Sequence, residues 1–465
     1  MIENQIIRKS FSYYLVLLLF SVSFTLIFQK FQDFLLSLVL PIVDLLFLDY
    51  YFHKGVSKSE KSFVRSIFFW SLLIRVIAVF VMGKILSAYN GMPFISDKDD
   101  YNYQIAALEI LNRWKISGFG FYDDIRFSSD TYSGFPNFSA LLMYFFGTSY
   151  WVPRLGNAVL SSFTVVLGYK ICKKYSDIES SRFVGVLFCL FPITIIFSSL
   201  QLKDTLLLFF VVLALYASID IIENRKLIKS IVILVLSFVG ISFGRPATIV
   251  PIAGGLVFMI VYNLFRKAQG HNLLKIVSLI IVFILLSYAY QYLNSFGFAS
   301  IDDYFEGRSE MMRTIGIQDS DSMIRNFSIS KFFGAYLYIL GGFFLPPALL
   351  IKLDETINYA AWGVLQHYAF LPFLIPAIFM CFRKRKEQQI PFFLLVVYLL
   401  FLIGQANSLF TVFSPRQTMG SVFVMYLMLP MYQQSRRNWQ PFILIMSLIV
   451  LATYNVVRLY THGFL

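Results

Sequence analysis

The chain has 465 residues, of which 58% are hydrophobic and 14% charged, a balance that excludes a soluble globular protein and makes a lipid bilayer the solvent. A formal charge of +13 would suit nucleic acid, but the Lys and Arg residues sit in short clusters between apolar runs and form no long basic face, so nucleic acid is not an expected partner. Cys172, Cys189 and Cys381 lie far apart in or beside apolar runs, which points to neither a disulfide framework nor a zinc site.

A crossing takes about 20 mainly apolar residues, because a helix rises about 1.5 Å per residue through a hydrocarbon core of roughly 30 Å. Such runs fall at 11–28, 34–50, 66–86, 154–170, 183–199, 204–221, 228–243, 247–264, 275–291, 365–382, 390–408, 418–432 and 440–458. The first follows Arg8 and Lys9 as a signal peptide would, yet a second run comes at once without a small-residue cleavage site, so it reads as a retained helix. With the amino terminus in the cytoplasm, every second gap should carry the Lys/Arg excess. The gaps holding Lys54 to Arg65, Lys170 to Arg182, Arg225 to Lys229, Arg266 to Lys275, Arg383 to Lys386 and Arg436-Arg437 do so. Lys331 to Ile351 is apolar too, but its Gly341-Gly342 and Pro346-Pro347 pairs break helices and predict a re-entrant or interfacial hairpin. Phe135 to Gly147 is too short to span and is expected along the membrane surface.

The expected fold class is all-α, a polytopic transmembrane bundle of about 13 crossings whose extracytoplasmic loops carry short interfacial helices. It forms one integral membrane domain. Residues 1–65 hold two N-terminal helices and a basic cytoplasmic loop, 87–153 the first large outer loop, and 154–291 a helical core. Residues 292–364 form a second outer segment with the hairpin, and 365–465 the C-terminal helices.

Chemistry is expected in the two long outer segments, which are polar, partly acidic and rich in Tyr and Phe. In the first, Ser96-Asp97-Lys98-Asp99-Asp100-Tyr101 leads into a helical stretch from Tyr103 to Trp114. Carboxylates at Asp99 and Asp100 can accept a proton from an attacking hydroxyl or orient a metal ion, and a divalent cation is the one cofactor candidate there. The plainer reading is an acidic turn capping the next helix. Gln201-Leu202-Lys203-Asp204 stands between two apolar runs with almost no loop, either as a polar hairpin turn or as a charged pair turned toward the bundle. Arg154, Arg245 and Arg416 fall at outer helix ends, where a planar fork suits phosphate oxygens, although any one alone can be a snorkelling side chain. Arg75 lies inside an apolar run, the position of a functional or helix-pairing charge. No phosphate-binding Gly-rich loop, metal-spaced His/Cys cluster or Ser/His/Asp constellation is readable.

An ordered series of features carries a resemblance. Asp99-Asp100-Tyr101 follows a helix, Gly134-Phe135-Pro136 leads a short apolar stretch, Arg154-Leu155-Gly156-Asn157 opens the next helix and Lys173-Lys174 closes it. Phe191-Pro192 and Ser198-Ser199 then precede Lys203-Asp204, with Arg245-Pro246 and Arg416 before Met428-Leu429-Pro430 further on. From Asp97 to about Tyr216 the chain resembles lipid-carrier-dependent glycosyltransferases of the C superfamily, glycosyltransferase family 39, the protein O-mannosyltransferase and aminoarabinose transferase relatives. The resemblance implies an inverting hexosyl or pentosyl transferase taking a sugar from a polyprenyl phosphate to a lipid, glycan or protein acceptor. It implies Asp99 or Asp100 as the base, Asp204 as a second acid, and Lys203, Arg245, Arg416 and Arg154 as candidates to hold the donor phosphate. It also implies multi-pass residence in a bacterial cytoplasmic membrane, among membrane lipids.

Two other functions compete. A polysaccharide repeat-unit polymerase or ligase would use a late outer loop with arginines, here Arg308, Arg313 and Arg325. A transporter or lipid-linked oligosaccharide flippase would place charges near the midplane of several helices, and only Arg75 and Asp44 are so placed.

Overall fold

The computed structural model describes residues 58–95, 99–122, 134–267, 359–408 and 415–433, with single positions at 445, 449 and 453. The apolar runs at 11–28, 34–50 and 275–291, the hairpin at 331–351 and nearly all of the run at 440–458 lie outside the described residues, as do Asp44, Arg308, Arg313 and Arg325. Among the described residues the secondary structure is helical throughout. In chain order the helices are α1 (Lys58–Asn90), α2 (Asp99–Ser117), α3 (Gly134–Phe146), α4 (Trp151–Lys173), α5 (Ile178–Cys189), α6 (Pro192–Ser198), α7 (Asp204–Ile222) and α8 (Leu227–Ser242). A short 3-10 turn (Pro246–Thr248) leads to α9 (Ile249–Lys267), followed by α10 (Tyr359–Arg383), α11 (Gln389–Ser408), α12 (Pro415–Leu427) and α13 (Pro430–Gln433).

The protein is an integral α-helical membrane protein. Four described helices are long and apolar enough to cross, Ser59–Asn90, Trp151–Lys173, Asp204–Ile222 and Pro246–Arg266, and the bent pair α5 and α6 makes a fifth if it is one span. Further apolar helices of 10–17 residues include Leu227–Ser242 and Gln389–Ile403. The described residues do not extend this to about 13 crossings. Helix α1 starts at Lys58, inside the stretch expected to be loop, because nothing between Lys58 and Arg65 breaks a helix. This extension brings Glu60 onto Lys173, which joins the basic ends of α1 and α4.

Helix α4 is the hub, packed by α1, α3, α5, α6, α7 and α12. Small residues permit that close approach, as expected where helices associate without a hydrophobic drive from water. At Gly83 of α1 a Cβ would stand 2.5 Å from the Trp151 ring of α4, so only glycine lets these helices meet there.

The run at 183–199 forms two helices bent by 44° where a single straight crossing was expected. Pro192 opens α6 and cannot donate an N–H, and Phe191 before it is extended, so the helical ladder stops at Leu190. Arg75 reaches into this break from α1. Its guanidinium donates to the Cys189 carbonyl at 3.1 Å and the Phe188 carbonyl at 3.3 Å, and to Thr194 Oγ1 of α6 at 2.9 Å. Nε donates to Ser161 Oγ of α4 and Nη1 to Ser71 Oγ, both at 2.7 Å. An intramembrane charge thus caps the end of one half-helix and ties it to the next, which is a helix-pairing role.

Candidate active site

The site grows from the first two turns of α4. Arg154 is fully buried, and its Nη2 donates to the Pro93 carbonyl in the stretch between α1 and α2. Its guanidinium lies 5.3 Å from the ring centroids of both Phe94 and Tyr150, a cation–π arrangement that lowers the cost of burying the charge. Nε and Nη1 are buried without a hydrogen-bond partner. Two nitrogens of a cation left this way cost several kcal/mol unless something polar meets them, on the order of 1–3 kcal/mol each.

Asp100 sits in the first turn of α2 and is 1% exposed, whereas Asp99 beside it is exposed. The Ile95 N–H donates to Asp100 Oδ2 at 2.8 Å and the Tyr101 N–H to Oδ1 at 3.1 Å. Asn90 at the end of α1 donates to the carbonyls of Phe94 and Ile95, both at 2.8 Å, which closes the loop around the carboxylate. Burial raises the Asp100 pKa above the ordinary carboxylate range, partly offset by the Ile95 N–H and the charge of Arg154. Asp100 thus ties the loop before α2 to the start of that helix, as a buried acid in the field of a buried arginine. Among the described residues no three His, Cys, Asp or Glu side chains gather as metal ligands.

Asn157 lies one turn further along α4. Its Nδ2 donates to the carbonyls of Leu200 at 2.9 Å and Leu202 at 3.0 Å, which pins the turn that carries Gln201, Lys203 and Asp204. Lys203 is 7% and Asp204 1% exposed, so this turn faces the bundle. Arg245, between α8 and the 3-10 turn, brings Nη2 to 3.5 Å from Asp204 Oδ1 with its side chain partly open. Neither side-chain polar atom of Gln201 has a partner, nor does Asn157 Oδ1. Arg416 lies in the first turn of α12, and its side chain is outside the description.

Helices α2 and α3 cover this end of the bundle. Tyr103 meets Phe135 edge-on with centroids 5.1 Å apart, and Asn137 Nδ2 donates to the Tyr122 carbonyl at 2.7 Å. At Gly134 a Cβ would stand 2.2 Å from Phe243 Cβ and 2.6 Å from its carbonyl oxygen. Glycine there lets α3 start against the backbone two residues before Arg245. The Gly134-Phe135-Pro136 landmark is thus a docking point.

Arg154 and the Lys203-Asp204-Arg245 group are thus tied to adjacent turns of one helix, and Asp100 lies within electrostatic reach of Arg154. Sequence reasoning gave no role to Asn157 or Gln201. The spacing of Asn157 three residues after Arg154, on the same helical face, was the signal for the first. Nothing in the sequence marks Gln201 as buried.

Residues 134–290 match the family described as dolichyl-phosphate-mannose-protein mannosyltransferase. The match overlaps the resemblance already drawn over 97 to 216; Arg154, Lys203, Asp204 and Arg245 lie within it and Asp99 and Asp100 before it. No curated protein matches the chain. A solved archaeal oligosaccharyltransferase, AglB from Archaeoglobus fulgidus in complex with an inhibitory peptide and a dolichol-phosphate, is similar at 12% identity and a TM-score of 0.48. That alignment covers 86% of this chain and 55% of that one, so the chain spans about half the length of that protein. A likeness of this degree does not fix a shared fold.

Proposed function

We propose that the protein is a membrane glycosyltransferase that moves a sugar from a polyprenyl phosphate to a lipid, glycan or protein acceptor at the outer end of its bundle. The setting is cell-envelope glycan or glycolipid assembly in a bacterial cytoplasmic membrane, with the amino terminus in the cytoplasm. The observation that carries this reading is the attachment of Arg154 and the Lys203-Asp204-Arg245 group to adjacent turns of α4, inside the segment that matches the mannosyltransferase family.

Asp100 takes the proton of the acceptor hydroxyl, and the freed oxygen attacks the anomeric carbon. The bond from that carbon to the phosphate oxygen breaks from the opposite face, inverting the centre, and the electron pair leaves with the lipid phosphate. Negative charge then grows on the phosphate, where fixed cations stabilise the transition state more than the ground state. Arg154 has Nε and Nη1 to offer and Arg245 is partly open, with Lys203 and Arg416 completing the set of candidates. Asp204 holds Arg245 in place and is the second acid of the site.

The test is transfer of labelled sugar from a polyprenyl-phosphate donor pool in membranes with matched expression. Asp100→Asn is expected to lose about 10²–10⁴-fold of the activity, the range that a general base contributes. Unchanged transfer in both Asp100→Asn and Asp204→Asn would remove the site.

A further inference from the structure

Among the described residues only Arg154 and Gln201 bury two side-chain polar atoms without a hydrogen-bond partner, and both belong to the same end of α4. Arg154 leaves Nε and Nη1, the pair available to the donor phosphate. Gln201 is fully buried and leaves both ends of its amide, Nε2 and Oε1. Its backbone is held by Asn157, whose Nδ2 donates at 2.9 Å and 3.0 Å to the carbonyls of Leu200 and Leu202 on either side of it. Both Nδ2 hydrogens are used in this way, so the Asn157 amide has one orientation, and its Oδ1 is a third buried atom without a partner. The two amides do not satisfy each other.

The unpaired atoms define the chemistry of what would meet them. Gln201 Oε1 and Asn157 Oδ1 are acceptors and need a hydrogen, which an ionised phosphate does not carry, while Gln201 Nε2 needs an acceptor. A hydroxyl is donor and acceptor at once and meets both needs. Asn157 follows Arg154 by three residues on α4, a rise of about 4.5 Å, which is the scale of one sugar ring.

We propose, on the glycosyltransferase reading above, that Gln201 and Asn157 Oδ1 bind hydroxyl groups of the sugar whose phosphate Arg154 holds. Gln201 is then a specificity-determining residue for the donor. A ligand without those hydroxyls leaves the same buried atoms unpaired, which is how such a site discriminates. Because the amide is enclosed in the free protein, the sugar displaces the side chains that cover it.

The test uses the full chain in phosphatidylcholine nanodiscs, with the melting temperature followed as undecaprenyl phosphate or its glucosyl, mannosyl or galactosyl ester is titrated. The wild type binds the carrier phosphate and binds at least one ester more tightly. Gln201→Met keeps the length of the side chain and removes the amide. It leaves the affinity for undecaprenyl phosphate unchanged and weakens the preferred ester by about tenfold. It does not lower the melting temperature without ligand, because the atoms it removes are unpaired. Gln201→Leu is measured beside it, so that the result does not hang on the fit of one side chain. A wild type that does not bind undecaprenyl phosphate overturns the glycosyltransferase reading and this proposal with it. Bound carrier with no gain from any ester, or unchanged ester affinity in both variants, overturns the proposal alone. So does an equal loss for carrier and ester, or a lower ligand-free melting temperature in both variants, which would make the amide part of the packing.

Discussion

At the residue scale the decisive contrast is between Asp99 and Asp100, adjacent carboxylates in opposite surroundings. Asp99 is exposed, and Asp100 is buried and raised above the ordinary carboxylate pKa. A base works only in its deprotonated form, so transfer should rise with pH through the raised Asp100 pKa. The acidic limb of the rate profile is therefore expected above the value of a free Asp, about 3.9. Asp99→Asn should keep that limb and most of the rate, whereas residual transfer in Asp100→Asn should lack it. Arg154 gives a second prediction. Lysine offers a point charge where arginine offers a planar fork, so Arg154→Lys is expected to lower transfer by about 10²-fold, the scale of one lost donor to a developing charge. A labelled-sugar assay beside a melting curve checks it, because a stable but slow variant separates chemistry from folding. Both residues were legible as candidates in the sequence. Which aspartate is buried was not, because a repeated residue type looks the same on either side of a helix end until the loop at 90–95 folds over one of them.

At the element scale the bent pair α5 and α6 and the docking of α3 decide where the site lies. The buried carbonyls and hydroxyls that Arg75 meets each lose a donor with it, at up to about 1–3 kcal/mol where no other donor reaches them. Arg75→Met is therefore expected to lower the melting temperature of the purified protein sharply, and Arg75→Lys, which keeps the charge but not the fork, to fall between. Gly134→Ala would push a methyl into the Phe243 backbone. The expected cost is about 1–3 kcal/mol, and because Phe243 leads to Arg245, transfer should fall as well. Measuring stability and transfer on the same preparation shows whether α3 only packs or also positions the arginine. Pro192 was visible in the sequence as a breaker, yet the apolar run through it read as one crossing. What Pro192 leaves unsatisfied is met by a side chain more than a hundred residues away, a contact that no local pattern contains.

For the whole molecule, the charge bias between apolar runs predicts that the Asp100 end and the Lys174 end face opposite sides of the membrane. Cys172, Cys189 and Cys381 are buried and unpaired, so the background of thiol labelling should be low. Lys115→Cys and Arg225→Cys, both at exposed positions, are expected to react with an impermeant maleimide from opposite sides of oriented vesicles. Labelling from the same side would invert one part of the topology. By itself the sequence determined that the chain lives in a bilayer, where most of its described apolar helices run, the start of α1 and the broken run at 183–199 apart, and which charged residues stand near their ends. Those properties follow from hydropathy and from the cost of burying charge, which act on any short stretch of chain. Only the tertiary structure decided that α4 gathers Arg154, Asn157 and the Lys203-Asp204 turn on one end, and that Asp100 rather than Asp99 is enclosed. It also decided that Arg75 repairs a broken span. Those outcomes depend on which helix lies beside which, and in a bilayer that choice rests on small-residue contacts and long-range hydrogen bonds between segments far apart in the chain.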